Sequence, residues 1–370
     1  MRRNIPELDG VRAVAILAVI AFHAGDGATS SVLPGVAQWI GFGWFGVDLF
    51  FVLSGFLITG ILLDTKGTPH AWRNFYARRI LRIFPLYYLA LITYFHLLPA
   101  VAQHLSRFQH FQRTEEAWYW LYVCNWSPSL GMAHAQLTHL WSLSIVEQFY
   151  VFWPLLVFSL SRRAVWLLCA AVLVIAPCIR TANLLTLAES GPLLYRNTLC
   201  RFDTLAFGAL GALLVRDPRG LGLAMRARPI LLTAAGIGVA VSIAIGGTSS
   251  YHPAMNTIGF TSLAILFAYL ILWASAGGAG LHAALRFGPL RSIGKYSYAM
   301  YIFHVPVVAL LRRVFHLAGT HNRLAFGMLL AGEIAAAAAL SYAGGWVSWR
   351  LFENPFLQLK SHFEYREKPS

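Results

Sequence analysis

Long apolar runs separated by short polar stretches pattern the whole chain. Ten of them fall at about 8–24, 39–63, 80–98, 138–160, 164–180, 197–215, 229–246, 257–276, 295–314 and 324–346. A helix needs about 17–25 mostly apolar residues to cross a bilayer. The pattern therefore predicts an all-α, polytopic membrane protein with about ten transmembrane helices. Residues 1–350 then form one transmembrane domain and 351–370 a short polar tail, with no appended extracytoplasmic domain expected. The longest interruption, 99–137, is polar at first and closes on Trp118, Tyr119, Trp120, Tyr122 and Trp126. Such aromatics suit a membrane–water interface, and they equally suit stacking on a sugar ring.

Polar residues inside the apolar runs change the picture most. The first run, Val11-Arg-Ala-Val-Ala-Ile-Leu-Ala-Val-Ile-Ala-Phe-His23, carries Arg12 and His23. An ionisable group at membrane depth costs roughly 2.5 kcal/mol or more, so it is usually kept for function and faces protein or water. Eleven residues at 100° each come to about three turns plus 20°, which puts both side chains on one helix face, about 16 Å apart along the axis. A cation near one membrane surface and an imidazole towards the other make a layout for a site reached from both sides.

Composition agrees with membrane spans. Of 370 residues 58% are hydrophobic and only 12% charged, against about 25% charged in a soluble domain. With both termini inside, twenty of the 29 Lys and Arg residues fall on cytoplasmic loops and eight on the outer side, Arg12 lying within a span. That is a positive-inside bias. The net charge of +14 then reflects topology and contact with anionic membrane lipid. Dispersed basic residues and the lack of a binding module give no case for nucleic acid. Cys124, Cys169, Cys178 and Cys200 have no CxxC spacing, so neither a metal site nor a disulfide framework is expected.

Further constellations carry chemistry. In Phe75-Tyr-Ala-Arg-Arg-Ile-Leu-Arg-Ile-Phe-Pro85, Arg78 and Arg82 are one turn apart with Arg79 beside them. Guanidinium groups pair with phosphate oxygens, so this cytoplasmic cluster suits the phosphates of a nucleotide-bearing donor, although a positive-inside anchor has the same look. In His139-Leu-Trp-Ser-Leu-Ser-Ile-Val-Glu147, Glu147 falls about 12 Å into its helix, at a depth comparable with His23. A carboxylate there can orient an imidazole base, or simply bond a neighbouring helix. Asp48, Arg201, Asp203 and Tyr298 are polar positions within other apolar runs, and Ser297, Tyr301 and His304 line one helix face. Tyr298 or Arg201 could stabilise an oxyanion. Asp48, His139, Trp141, Asp203 and His304 are the expected substrate contacts, with structural roles for Arg201, Asp203 and His304 left open.

Taken in order, Leu8-Asp-Gly-Val-Arg12 with His23, Gly46-Val-Asp-Leu-Phe-Phe-Val-Leu-Ser-Gly55, Arg78-Arg-Ile-Leu-Arg82, His139-Leu-Trp-Ser-Leu-Ser-Ile-Val-Glu147, Arg201-Phe-Asp-Thr-Leu205 and Gly294-Lys-Tyr-Ser-Tyr298 through His304 resemble the motifs of the acyltransferase-three family of integral membrane O-acyltransferases. The resemblance covers nearly the whole chain. It implies ten membrane helices in the cytoplasmic (inner) membrane and transfer of an acyl group, usually acetyl, from cytoplasmic acyl-CoA to a hydroxyl of a saccharide (a polysaccharide or lipopolysaccharide, for example), glycolipid or metabolite. It also implies an essential role for Arg12 and His23 and a link of Arg78, Arg79 and Arg82 with the donor. A polytopic transporter or flippase is the alternative class, since it too uses buried Arg, His and Glu. That class favours an internal repeat, and none is visible.

Overall fold

A computed structural model describes residues 5–25, 33–102, 115–127, 135–186, 191–276, 280–315 and 322–365. Among these residues every regular element is helical. Ten long helices carry the fold: α1 (Pro6–Gly25), α2 (Phe45–Thr65), α3 (Ala71–Ile92), α4 (Trp141–Ser159), α5 (Arg162–Thr186), α6 (Thr198–Leu214), α7 (Pro218–Gly246), α8 (Phe260–Ala276), α9 (Gly288–Phe315) and α10 (Arg323–Ser348). Nine stretches among the described residues are long and apolar enough to cross a membrane. The remaining predicted span corresponds to α6, which at 17 residues sits at the lower limit. Gln103, His104, Arg107, His110 and Arg113 of the 99–137 stretch lie outside the described residues.

Close helix crossings position the site, and glycines permit them. A methyl group on Gly294 of α9 would meet the Asp9 carbonyl oxygen of α1 at 1.8 Å. Likewise, one on Gly55 of α2 would meet the Leu205 oxygen of α6 at 1.9 Å, and one on Gly208 would meet the Val52 oxygen at 1.9 Å. Small residues let backbones approach where lipid offers no hydrophobic drive between helices. The Gly294 contact is the one that brings the two histidine-bearing helices, α1 and α9, together. α10 packs beside them, and its run continues through Asn354–Gln358 and Leu359–Phe363, which pack against α3.

Two charge pairs lie wholly inside the bundle. Arg201 contacts Asp48, and Arg180 donates to Asp203 at 2.8 Å; all four side chains are fully buried. The Arg201 guanidinium also sits 4.0 Å above the Phe260 ring centroid. Arg180 makes further bonds to the Asn256 and Cys200 carbonyl oxygens and to Thr261. These contacts join α2, α5, α6 and α8 by charge in a region where an unpaired ion would be costly. The four cysteines are all free.

Candidate active site

The site starts from α1, which places its cation and its imidazole towards opposite ends. At one end Arg12 is held by Asp9, with an N–O distance of 2.6 Å. Around it a cavity of about 580 Å³ is lined by Arg78, Arg79, Arg82, Arg216, Lys360 and Tyr365, with Asp9, Asp64 and Glu364 supplying negative charge. The helical spacing of α3 brings Arg78, Arg79 and Arg82 to this one cavity, as the sequence pattern predicts. Arg216 is bonded by both Nε and Nη2 to the Asp64 carboxylate, at 2.7 and 2.5 Å. Arg82 lies 4.0 Å from Glu353. Among the described residues the buried Arg79 Nε has no hydrogen-bond partner. Burial pushes the Tyr365 phenol above its ordinary pKa, while Arg79 and Arg78 pull the other way.

A narrower chamber of about 260 Å³ continues from this cavity and shares Arg12, Leu57, Ile61, Arg79 and Arg82 with it. Its walls are mostly apolar, with Ser54, Glu147, Tyr150 and Tyr298 as polar points, and it reaches Ser142 and Tyr301. There the Tyr301 hydroxyl donates to the His139 carbonyl oxygen at 2.8 Å and lies 2.6 Å from the Ser142 hydroxyl.

Beyond Tyr301 three imidazoles stand in a row. The Tyr301 and His304 ring centroids are 5.2 Å apart, those of His304 and His23 4.8 Å, and those of His139 and His304 4.9 Å. Hydrogen-bond partners fix the tautomers. His304 Nδ1 faces the Tyr301 carbonyl oxygen at 2.7 Å, and His23 Nδ1 faces the Val19 carbonyl oxygen at 3.0 Å. A carbonyl only accepts, so both Nδ1 atoms carry hydrogen. His304 Nε2, 3.3 Å from His23 Nδ1, must then be the bare, accepting nitrogen. His23 is left with Nε2 as its basic atom. Pro306, two residues past His304, cannot bond back to the preceding turn and loosens α9 beside the ring. Arg312 donates to the His23 carbonyl oxygen at 2.5 Å and anchors the end of α1.

The structure thus brings together Arg12 with Arg78, Arg79 and Arg82, and His23 with His304 and His139. Other expected site residues lie elsewhere. Glu147 is in the chamber wall, whereas the His23 ring meets Val19, Phe22 and His304 among the described residues. Tyr298 also lines the chamber, its hydroxyl donating to the Ile83 carbonyl oxygen at 2.7 Å. Arg201, Asp48 and Asp203 belong to the buried ion pairs. Trp141 packs at 6% exposure against Tyr195, with ring centroids 4.9 Å apart. Sequence reasoning did not single out Tyr301 as the residue closing the chamber, nor Lys360 and Tyr365 as cavity residues. The face shared by Ser297, Tyr301 and His304 was a usable signal for the first. A tail Lys and Tyr give no such signal.

The acyltransferase domain family matches residues 5–350. The chain belongs to that family. It is 28% identical over 386 residues to the peptidoglycan O-acetyltransferase OatA of Listeria monocytogenes, covering 100% of this chain and 60% of that protein. It is 30% identical over 331 residues to the putative peptidoglycan O-acetyltransferase YrhL of Bacillus subtilis, covering 83% of this chain and 49% of the relative. The O-acetyltransferase OatA of Staphylococcus aureus is 27% identical over 335 residues, covering 83% and 51%. The chain therefore spans half to three fifths of the length of these relatives. No solved structure matches it.

Proposed function

We propose that this multi-pass membrane protein is an O-acetyltransferase that takes an acetyl group from cytoplasmic acetyl-CoA and delivers it to a saccharide hydroxyl at the outer side of the cytoplasmic membrane. One observation carries the reading: a cation-lined cavity runs into a chamber that ends one aromatic ring from a tautomerically fixed histidine pair. The names of the relatives support acetyl as the group and a peptidoglycan-type glycan as the acceptor.

The donor phosphates lie on Arg78, Arg79 and Arg82, with Arg12 at the neck of the chamber. The thin pantetheine arm extends through the chamber, where Glu147 and Tyr150 offer hydrogen-bonding groups to its amides. Tyr301 stands between the chamber end and His304, so its side chain turns aside when the thioester advances. His23 Nε2 takes the proton of the acceptor hydroxyl while that oxygen attacks the thioester carbonyl. The C–O bond forms, the C–S bond breaks, and the thiolate leaves with the proton from His23. General-base help of this kind contributes about 10²–10⁴ in rate. His304 holds the His23 ring, the role first expected of Glu147. Arg201, fully buried with Asp48, fits a structural role better than the oxyanion role.

Purified protein in lipid nanodiscs, given acetyl-CoA and a peptidoglycan glycan fragment, tests the reading. Acceptor-dependent release of free thiol together with an O-acetylated fragment is the expected result. The same protein in sealed liposomes moving the glycan across the bilayer without thiol release would replace this reading with a transporter.

A further inference from the structure

The helical segment that continues α10 lines the donor cavity. It is held through its main chain. Arg78 donates to the Lys360 carbonyl oxygen at 2.9 Å, and Asn74 donates to the Glu364 carbonyl oxygen at 2.9 Å. The Arg73 guanidinium lies 5.9 Å from the Phe363 ring centroid. With the backbone secured, the side chains of Lys360, Glu364 and Tyr365 line the 580 Å³ cavity opposite α1 and α2.

Those side chains differ from the other cavity cations in what they already bind. Arg12 is paired with Asp9 and Arg216 with Asp64. Among the described residues no hydrogen bond or ion pair engages the Lys360 side-chain amine. The Tyr365 ring has the Arg78 guanidinium 5.7 Å from its centroid and remains half-buried at the cavity wall. A flat aromatic ring backed by a guanidinium, next to an uncommitted amine and the charges of Arg79 and Arg82, pairs a stacking surface with phosphate-binding groups. A purine nucleotide needs both. A phospholipid headgroup would use the charges and leave the ring idle.

We propose that residues 354–365 form the nucleotide wall of the donor site, with Tyr365 stacking on the purine of CoA and Lys360 binding one of its phosphates. This rests on the acetyl-CoA reading above for its physiological ligand. It makes this segment, together with the α3 arginines, the part of the site that discriminates between CoA and a donor lacking the nucleotide.

Titration calorimetry with adenosine 3′,5′-bisphosphate, which carries the purine and phosphates but no thioester, tests it on the full chain in nanodiscs of zwitterionic lipid. Tyr365→Ala and Lys360→Gln are each expected to weaken binding about tenfold, with Tyr365→Phe close to wild type. In turnover, both substitutions are expected to raise KM for acetyl-CoA while leaving KM for acetyl-pantetheine, which has no nucleotide, unchanged. Activity with acetyl-pantetheine also reports that each variant is folded. Nucleotide binding that is absent, or indifferent to Tyr365 and Lys360, would overturn the proposal, as would binding abolished by adding anionic phospholipid. Thiol release with Tyr365-independent nucleotide binding would sink this inference alone. Tyr365-dependent nucleotide binding without thiol release would sink the acetyltransferase reading alone.

Discussion

Arg12 and Arg82 keep 34% and 30% of their side chains exposed, while His304 keeps none and His139 only 3%. The two ends of the site thus hold their polar groups on different terms. At the arginine end the cations line an open cavity, and several are only loosely paired, so they remain available to an incoming anion. At the histidine end each assigned ring hydrogen is committed to a carbonyl of its own helix, and the rings pack edge to face. The first arrangement is suited to capture, because solvated charges attract and release a ligand readily. The second is suited to chemistry, because a base whose ring is held by fixed partners loses little to reorganisation. Substitutions at the two ends should therefore separate into KM effects and kcat effects.

The largest effect is expected at the base. His23→Ala should lower the acetyl-transfer rate by about 10²–10⁴, with donor affinity and membrane insertion retained, as read by thiol release and nucleotide binding on the same preparation. A near-normal rate would remove His23 from the chemistry. Next comes the residue that positions it. His304→Ala should lower kcat by roughly ten- to a hundredfold with little change in either KM, and His304→Gln, which keeps an accepting atom, should recover part of the loss. Equal losses in both variants would point to packing instead.

At the other end, Arg79→Gln or Arg82→Gln should raise donor KM by roughly ten- to a hundredfold, the value of a charge-assisted hydrogen bond, and leave kcat in place. A kcat defect there would blur the division between the two ends. The smallest catalytic effect belongs to the buried pairs. Asp48→Asn leaves the Arg201 charge uncompensated and should destabilise the protein by about 3–5 kcal/mol, seen as a lowered Tm in detergent, with catalysis falling only alongside the folded fraction. Replacing both Asp48 and Arg201 by apolar residues should recover much of that stability. If it does not, the pair has a role beyond neutralising itself.

How far the sequence carries depends on whether a signal is periodic or tertiary. Span positions were legible because bilayer thickness imposes a length on every helix, and α6 fell short only because its length is borderline. The convergence of Arg78, Arg79 and Arg82 on one cavity follows from helical spacing alone. The partner of His23 was not legible. Glu147 and His304 both lie in helices that could face α1, and only the Gly294 contact with Asp9 decides that α9 comes closest. The Arg201–Asp48 pair likewise links residues 153 positions apart, a distance no local pattern spans. Tyr301 closes the chamber through bonds to α4 residues and their preceding turn, which again depend on how the helices meet.

In the proposed reaction donor and acceptor reach one imidazole from opposite sides of the membrane. Liposomes holding the protein in a single known orientation test it most directly, with labelled acetyl-CoA confined to the compartment facing Arg78 and glycan fragments confined to the other. Labelled ester should accumulate on the glycan only in that arrangement, and not when both reactants are supplied on the glycan side alone. Equal labelling with both reactants on that side, or none with them on opposite sides, would rule out transfer across the membrane at His23.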